Sequence, residues 1–261
     1  MIEIEGLPEL VDPVLIAAFE GWNDAGEASS GVLAHLAGEW KASPLAELDP
    51  ENYYDFQVTR PIVELGDGVT RSIIWPTTRL FYARPPGGRH DVVLLRGIEP
   101  NMRWRSFCAE IIALCQDLGV RRAILLGALL NDSPHPRPVP IVGTVSDPAL
   151  ARRLNLEPSR YEGPTGIVGV LQQALGAAGV ETISLWASVP HYVAQPPNPK
   201  ATLALLGRLE ELLDLSIPLG DLPEEARAWE RGVDELAAQD AEVAEYVREL
   251  EERKDAAELP E

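Results

Sequence analysis

The chain has 261 residues, of which 46% are hydrophobic, and its formal net charge is −19 at pH 7. This apolar share excludes global disorder, and the negative charge disfavours nucleic acid or an anionic membrane surface as the main partner. About half of the charge lies between Asp221 and Glu261, where fifteen acidic residues stand against five basic ones. No signal peptide is recognisable and no apolar run approaches the ~20 residues of a membrane helix, so we predict a cytoplasmic protein without a membrane partner.

The first predicted strand is the apolar run from Val14 to Phe19, which suits a strand covered on both faces. A helix is predicted from Gly31 to Trp40, where apolar residues recur at helical spacing. The turn between them contains Asn23 and Asp24, either of which is placed to cap that helix. Since open α/β sheets place their sites at the carboxyl ends of strands, this turn is the first place to look for function.

Three further strands are predicted, at 91–97, 123–130 and 182–188, with helices at 104–118 and 166–178 between them. Strands that alternate with helices at this spacing predict parallel pairing. The region from Tyr53 to Tyr82 differs, because the runs 72–75 and 79–82 resemble an antiparallel hairpin. The predicted fold class is therefore α/β, with a mixed, mainly parallel sheet flanked by helices.

A proline-rich loop is predicted at 131–145, because four prolines in its first ten residues exclude a helix. A second proline cluster, at 196–199, marks a boundary between an α/β domain (1–199) and an acidic helical extension (200–261). The extension begins with a helix from Lys200 to about Leu215, and a long helix follows from Glu224 to about Lys254.

The long helix carries a heptad-like apolar series, interrupted at Asp240. Its members are the predicted interaction residues Trp229, Val233, Leu236, Val243, Val247 and Leu250. Such a series packs either on its own domain or between subunits, and the sequence leaves both arrangements open.

If the strands are parallel, the polar loops that follow them converge at one edge of the sheet. Carboxylates, amides, arginines and histidines in one crevice would provide a base, an anion clamp and hydrogen-bond donors, as hydrolase or phosphorylase chemistry requires. The candidate catalytic residues are Glu20, Asp24, Arg103, Asp132 and His191, and the candidate ligand-binding residues are Asn23, Asn131, His135 and Arg137, with Glu99 and Asn101 nearby. The competing interpretation is turn chemistry and subunit contacts, which any α/β sheet needs at these loops.

The start of the helix at 166–178 is a further candidate anion site, formed by Gly163, Thr165 and Gly166. Free N–H groups there could bind a carboxylate or phosphate, although glycines also allow close helix packing. Neither a phosphate-binding loop nor a dinucleotide fingerprint is present. Cys108 and Cys115 lie about two turns apart on one predicted helix, too far for a disulfide, and are predicted to be buried thiols. No metal site and no cofactor are predicted.

Five ordered segments resemble the proteasome-assembly-chaperone family, in its actinobacterial branch. They are AFEGWNDAGEASS (18–30), LLRGIEPNMRW (94–104), GALLNDSPHPRPVPIVGTVSD (127–147), YEGPTGIVGVL (161–171) and SLWASVPHYVAQPPNPKA (184–201). The resemblance implies a phosphorylase/hydrolase-like α/β domain followed by helices, and self-assembly into a homo-oligomer. It implies no catalytic residues.

Archaeal and eukaryotic relatives in that family are non-catalytic chaperones that bind proteasome α subunits. The archaeal relatives dock through a carboxyl-terminal hydrophobic-Tyr-any tail, whereas this chain ends Glu258-Leu259-Pro260-Glu261 and its last tyrosine is Tyr246. The preferred hypothesis is thus a non-enzymatic assembly chaperone or scaffold, with proteasome α subunits as the candidate partner. The alternative is a hydrolase- or phosphorylase-like enzyme, or a ligand-binding module, for a small polar or anionic molecule.

Overall fold

The structure is a computed structural model that describes residues 7–66, 68–145, 151–152 and 161–258, without the side chains of 257 and 258. Met1 to Glu5 and the tail after Glu258, both used in the sequence predictions, lie outside these residues. The strands are β1 (Val14–Glu20), β2 (Ser43–Glu47), β3 (Ile62–Gly66), β4 (Thr70–Ile74), β5 (Thr78–Ala83), β6 (Val92–Ile98), β7 (Arg122–Asn131), β8 (Ile141–Val145) and β9 (Glu181–Pro190). The helices are α1 (Ala28–Glu39), α2 (Trp104–Asp117), α3 (Ile167–Ala177), α4 (Pro199–Leu213), α5 (Leu222–Gln239) and α6 (Ala241–Glu258).

The main sheet has the strand order β2-β5-β6-β1-β7-β9-β8 within the described part of the chain. Its four central strands, β6, β1, β7 and β9, run parallel. Strand β5 pairs antiparallel with β6 on one side, β2 extends it, and β8 pairs antiparallel with β9 on the other side. The predicted mixed, mainly parallel sheet is therefore confirmed, and the carboxyl ends of the central strands share one edge.

Helices cover both faces of the sheet because the central strands are apolar on both faces. Alternate β1 residues enter different clusters: Ile16 packs with α1 and α4, whereas Leu15 packs with α2 and α3. The two predicted thiols, Cys108 and Cys115, belong to the second cluster. Their burial raises the pKa of Cys108 to about 11 and that of Cys115 to about 12, as expected for thiols without a charged partner.

The predicted hairpin between 72–75 and 79–82 is wrong in its pairing. Strand β4 pairs instead with β3, through Ile62 opposite Ile74, in a separate two-stranded sheet. Strand β5 joins the main sheet because Leu80 and Ala83 are buried there, whereas every residue of β4 is exposed. The segment between β4 and β5 connects two different sheets and does not close a hairpin. The Thr77 hydroxyl in this segment donates to the carbonyl of Leu48, just after β2.

The predicted long helix is two helices, α5 and α6, which are separated at Asp240. Asp240 has extended backbone angles, and its Oδ1 accepts hydrogen bonds from the backbone N–H groups of Glu242 (2.9 Å) and Val243 (3.3 Å). An aspartate that caps a helix start ends the preceding helix, because its side chain replaces the missing backbone acceptors. The interruption of the heptad series at Asp240 is thus a helix boundary.

Candidate functional site

The carboxyl edge of the sheet brings several of the predicted site residues close together. Asn23 and Asp24 follow β1, Glu99 follows β6, Asp132 and His135 follow β7, and His191 follows β9. The expected convergence of polar loops therefore exists. What decides the chemistry is whether these side chains are available to a ligand or bound to each other.

The Asp24 side chain caps the start of α1. Its carboxylate is buried and accepts from the Ser29 N–H (2.7 Å), the Ser29 hydroxyl (2.6 Å) and the Ser30 N–H (3.3 Å). The reach is possible because Gly26 and Glu27 adopt left-handed backbone angles and fold the chain back over the carboxylate. The predicted capping role is confirmed for Asp24, and no oxygen of this group faces an open crevice.

Glu99 occupies the position at the start of α3 where an anion was expected. Its Oε1 accepts from the backbone N–H of Ile167 (2.8 Å) and from Asn23 Nδ2 (2.8 Å). Gly166 lies against the Asn23 amide so closely that a side chain at this position would collide with it. A carboxylate at a helix N-terminus satisfies free N–H groups and interacts favourably with the helix dipole. The chain itself therefore supplies the anion for this site.

Gly163 and Thr165, the other predicted members of this site, contribute no binding group to it in the structure. Gly163 lies beside the ring of Tyr161, whose hydroxyl donates to the carbonyl of Pro164. Thr165 packs close to Gly169 in the first turn of α3. The glycines of this segment thus serve close packing.

Two predicted catalytic residues, Glu20 and Arg103, have hydrogen-bond partners other than the residues at the starts of α1 and α3. Glu20 Oε1 accepts from Arg96 Nε (3.0 Å) on the neighbouring strand β6, and Arg103 Nη1 donates to Asn52 Oδ1 (3.0 Å). Glu20 and Arg96 line a separate cavity of about 470 Å³ that also contains Arg60. The structure therefore divides the predicted catalytic set among distinct neighbourhoods.

Asp132 and His191 meet as predicted, but a side chain of α6 joins them. His191 Nδ1 lies 3.2 Å from Asp132 Oδ1, and the His191 ring contacts the Tyr246 ring at 5.3 Å between centroids. Loss of solvent, together with a hydrogen bond to Asp132, raises the pKa of Tyr246. Asn131 is held beside them by its Nδ2, which donates to the Ser188 hydroxyl (3.1 Å).

His135 is buried at the centre of the proline-rich loop and makes three hydrogen bonds. The Tyr192 hydroxyl lies 2.8 Å from both its backbone N and its Nδ1, and Asp234 Oδ1 of α5 lies 2.9 Å from its Nε2. A carboxylate accepts only, so the Nε2–H of His135 donates to Asp234. Burial raises the pKa of Tyr192 to about 12, which keeps this hydroxyl protonated.

Arg137 connects the same loop to α6. Its Nε donates to Glu251 Oε1 (3.0 Å) and its Nη2 to Asp255 Oδ2 (2.9 Å). These carboxylates raise the pKa of Arg137, Glu251 through its hydrogen bond being the largest cause. Lys200 pairs with Glu230 of α5 in a similar way. We call this set of contacts between the proline-rich loop, the residues after β9 and the helices α5 and α6 the helix latch.

The apolar series of the extension is split between the interior and the surface. Val233, Val247 and Leu250 are buried within the chain, and Trp229 and Val243 are half-buried. Leu236 is 61% exposed. In this chain the series thus mainly packs α5 and α6 onto their own domain.

A group of exposed apolar side chains lies on and around β3 and β4, a surface that sequence reasoning did not single out. We call residues 58–75 the hairpin arm. Eight of its large apolar side chains are between 38% and 85% exposed: Val58, Ile62, Val63, Leu65, Val69, Ile73, Ile74 and Trp75. The signal was present in the sequence, because two apolar runs bounded by Pro61 and Pro76 flank a Gly-Asp-Gly turn.

Two kinds of site were also sought over the described ranges. Among residues 7–66, 68–145, 151–152 and 161–258, no three His, Cys, Asp or Glu side chains are grouped so that they could hold a metal ion. In the same ranges, none of the helices combines the length and the apolar character needed to cross a membrane.

A sequence model of the PAC2 family matches residues 18–237. Among solved structures, a PAC2 family protein from Streptomyces avermitilis is 64% identical, with a TM-score of 0.85 over 90% of this chain and 100% of that chain. A proteasome-assembly chaperone homologue from Mycobacterium tuberculosis is 55% identical, with a TM-score of 0.84 over 90% and 99% of the two chains. PbaB from Pyrococcus furiosus, an archaeal proteasome activator, shares the fold at 19% identity, with a TM-score of 0.71 over 90% and 98%. No curated protein matches the sequence.

Proposed function

The chain belongs to the PAC2 family, and from this membership we propose that it is a non-enzymatic, assembly-chaperone-like protein of the cytoplasm that binds proteasome α subunits. The family match covers most of the chain, and the relative from Mycobacterium tuberculosis is described as a proteasome-assembly chaperone homologue. The chemistry of the carboxyl edge supports a binding role over a catalytic one.

The observation that carries the proposal is the internal use of the polar groups at the carboxyl edge. Asp24 is bound to the start of α1, and Glu99 is bound to the start of α3 and to Asn23. A catalytic site keeps a base and an anion-binding group free to meet the substrate. Here those groups hold helices in place, so the enzyme interpretation is not favoured.

We propose that the acidic helical extension, residues 200–261, is the part of the chain that meets the α subunit. Its buried side chains attach it to the domain, which leaves acidic side chains such as Glu224, Glu225 and Glu242 in solvent. A surface with this charge favours rapid association with a basic partner surface and rejects acidic ones. Docking therefore does not require a tyrosine-containing tail.

The test is direct binding of the purified chain to purified actinobacterial proteasome α subunits, followed by the rate of proteasome assembly. We expect a complex whose affinity falls at least tenfold between 50 and 500 mM salt, because charge steering is screened. Replacement of Glu224 and Glu225 by Gln should weaken binding. The double replacement Glu51→Gln/Glu162→Gln, at two exposed positions outside the extension, is the charge-matched control and should bind like the wild type. The absence of a complex at low salt, with assembly unchanged, would contradict the proposal.

A further inference from the structure

We propose that the cavity of about 470 Å³ between α1, the strands β5 and β6 and the hairpin arm is a binding site for a small organic anion with an apolar body. The inference concerns a ligand site and does not rest on the proposed function. Pockets for small molecules have volumes of about 300–1,000 Å³ and combine apolar walls with a few polar groups. The size and the lining of this cavity fit that description.

The charge of the cavity lining is opposite to that of the chain as a whole. Three arginines, Arg60, Arg79 and Arg96, line the cavity together with one carboxylate, Glu20. The lining therefore carries a formal charge of +2 in a chain of net charge −19. Apolar walls strengthen the attraction between such a group and a ligand charge because they exclude water. An anionic ligand is therefore favoured in this cavity.

The two arginines that the sheet contributes lie directly opposite each other. Arg79 on β5 and Arg96 on β6 are cross-strand partners in an antiparallel pair, so their side chains share one face of the sheet. Like charges in this arrangement repel each other. Each has a carboxylate at its side: Arg79 Nε donates to Glu47 Oε2 (3.1 Å), and Arg96 donates to Glu20 Oε1 from Nε (3.0 Å) and Nη2 (2.9 Å). An anion bound between the two guanidinium groups relieves the repulsion that remains.

The guanidinium groups keep donors that a ligand can use. Within the described part of the chain, Nη1 of Arg79 and of Arg96 has no protein acceptor, and Arg60 forms no ion pair. The side chains of Arg79 and Arg96 are 47% and 42% exposed, so a ligand reaches them without opening the fold. A guanidinium group binds a carboxylate or a phosphate through two parallel hydrogen bonds. The anionic group of the ligand is therefore one of these two.

The rest of the lining is largely apolar and partly aromatic, which suits a ligand with a hydrophobic body. Members from α1, the sheet and the arm are Leu33, Phe81, Leu94, Ile62, Ile74 and Trp75. The Trp75 ring is held by Phe56 at 4.8 Å between ring centroids, and the residue is still 43% exposed. An aromatic ring that is fixed by a neighbour and remains exposed can stack on a planar ligand. A planar apolar body therefore fits this cavity.

The arm provides a matched control, because only one of its two arginines lines the cavity. The arm has no formal net charge, since its four charged residues are Arg60, Arg71, Glu64 and Asp67. Ile74 lines the cavity, and Arg71 lies three positions before it on β4. Successive side chains of a strand point to opposite faces, so Arg71 lies on the face of the arm that is turned away from the cavity. Removal of either arginine changes the net charge equally, and only the loss of Arg60 changes the cavity.

The experiment measures the binding of four probes to the full chain by isothermal titration calorimetry at low salt. Naphthyl phosphate and naphthoate carry the anionic group on a planar apolar body. Naphthalenemethanol lacks the charge, and inorganic phosphate lacks the apolar body. We expect at least one of the two naphthyl anions to bind at least tenfold more tightly than either of these controls. The preference between the two anions identifies the ligand as a phosphate ester or as a carboxylate.

Two variants and one spectroscopic signal place the binding in the cavity. Arg60→Gln should weaken the binding of the preferred naphthyl anion at least tenfold, whereas Arg71→Gln should bind it like the wild type. In the nitrogen-15-labelled chain, the indole N–H signal of Trp75, assigned with Trp75→Phe, should shift when this anion is added. The proposal would be overturned if neither anion bound with a Kd below about 1 mM, or if naphthalenemethanol bound as tightly. Equal binding by Arg60→Gln and Arg71→Gln, or an unmoved Trp75 signal, would also overturn it.

Discussion

The helix latch and the hairpin arm both lie at the periphery of the domain, but the latch is packed against the chain and the arm is exposed. The latch is acidic, and its contacts are made within the chain: Arg137 binds α6, His135 binds α5, and Leu250 is buried. The arm is neutral and apolar, and its side chains remain in solvent. The difference shows that an apolar sequence pattern does not by itself identify an interface, because the helical series is largely buried within the chain whereas the strand residues of the arm are exposed.

The largest expected difference between the two regions is in thiol reactivity. In the native chain burial raises the pKa of Cys108 to about 11, so its thiolate fraction at pH 8 is roughly a hundredfold below that of a thiol with an unshifted pKa. Val63→Cys on the arm should therefore react with a thiol reagent at least that much faster at 1 μM, whereas Leu250→Cys in the latch should react as slowly as the native thiols. Equal rates for Cys at positions 63 and 250 would contradict the comparison.

The next largest expected difference is in the free energy of unfolding that is lost when one side chain in each region is truncated. Leu250→Ala should lower the free energy of unfolding by about 2–4 kcal/mol, because it leaves a cavity between α6 and the domain. Ile73→Ala, which removes a similar volume from the arm, should cost under about 1 kcal/mol in the dilute single chain. Urea titration at 1 μM measures both. A larger loss for Ile73→Ala would mean that the arm is buried in the chain.

Alkali should loosen the latch through Tyr192, whose pKa is raised to about 12 by burial. The folded chain then binds more protons than the unfolded chain between about pH 10 and 12, so its stability is fully present below pH 10 and falls as the pH rises through this window. Tyr192→Phe should have a melting temperature that falls less steeply over the same range. The arm contains no tyrosine or cysteine, so substitutions in it should leave the pH profile unchanged.

Salt should have the smallest effect, and it should act on the latch and not on the arm. The Arg137 pairs with Glu251 and Asp255 are partly exposed, so they contribute little to the stability of the fold and are screened at 1 M salt. Hydrogen exchange of α6 should accelerate, and Arg137→Gln should remove most of that salt dependence. Hydrogen exchange of the neutral, apolar arm should not change in the same buffer, and an equal acceleration there would contradict the comparison.

Much of the central architecture could be predicted because it depends on local patterns. The parallel strands are continuous apolar runs, and the cap of α1 by Asp24 follows from the position of an acidic residue before a helix. The break at Asp240 was visible as an interruption, but not as a helix boundary. Its effect depends on which acceptors the backbone lacks in the folded chain.

The pairing of β4 and the state of the candidate site could not be read in the same way. Whether Ile73 pairs with Val63 or with β5 depends on which strand fills the space beside β6. Glu99 and Ile167 are 68 residues apart in sequence, so their hydrogen bond is a product of the tertiary fold. The sequence therefore identified polar residues at the correct edge, without showing that they satisfy each other.

The carboxylate of Glu99 has a consequence for any dissolved anion that reaches α3. It acts as a tethered competitor, whose effective concentration at the Ile167 N–H is fixed by the covalent chain and is on the order of millimolar or more. A free phosphate or carboxylate has to displace this group and also deprive its carboxylate of the Ile167 N–H. The loop after β6 thus carries its own ligand for the start of α3, and any dissolved anion competes with a group that never leaves the chain.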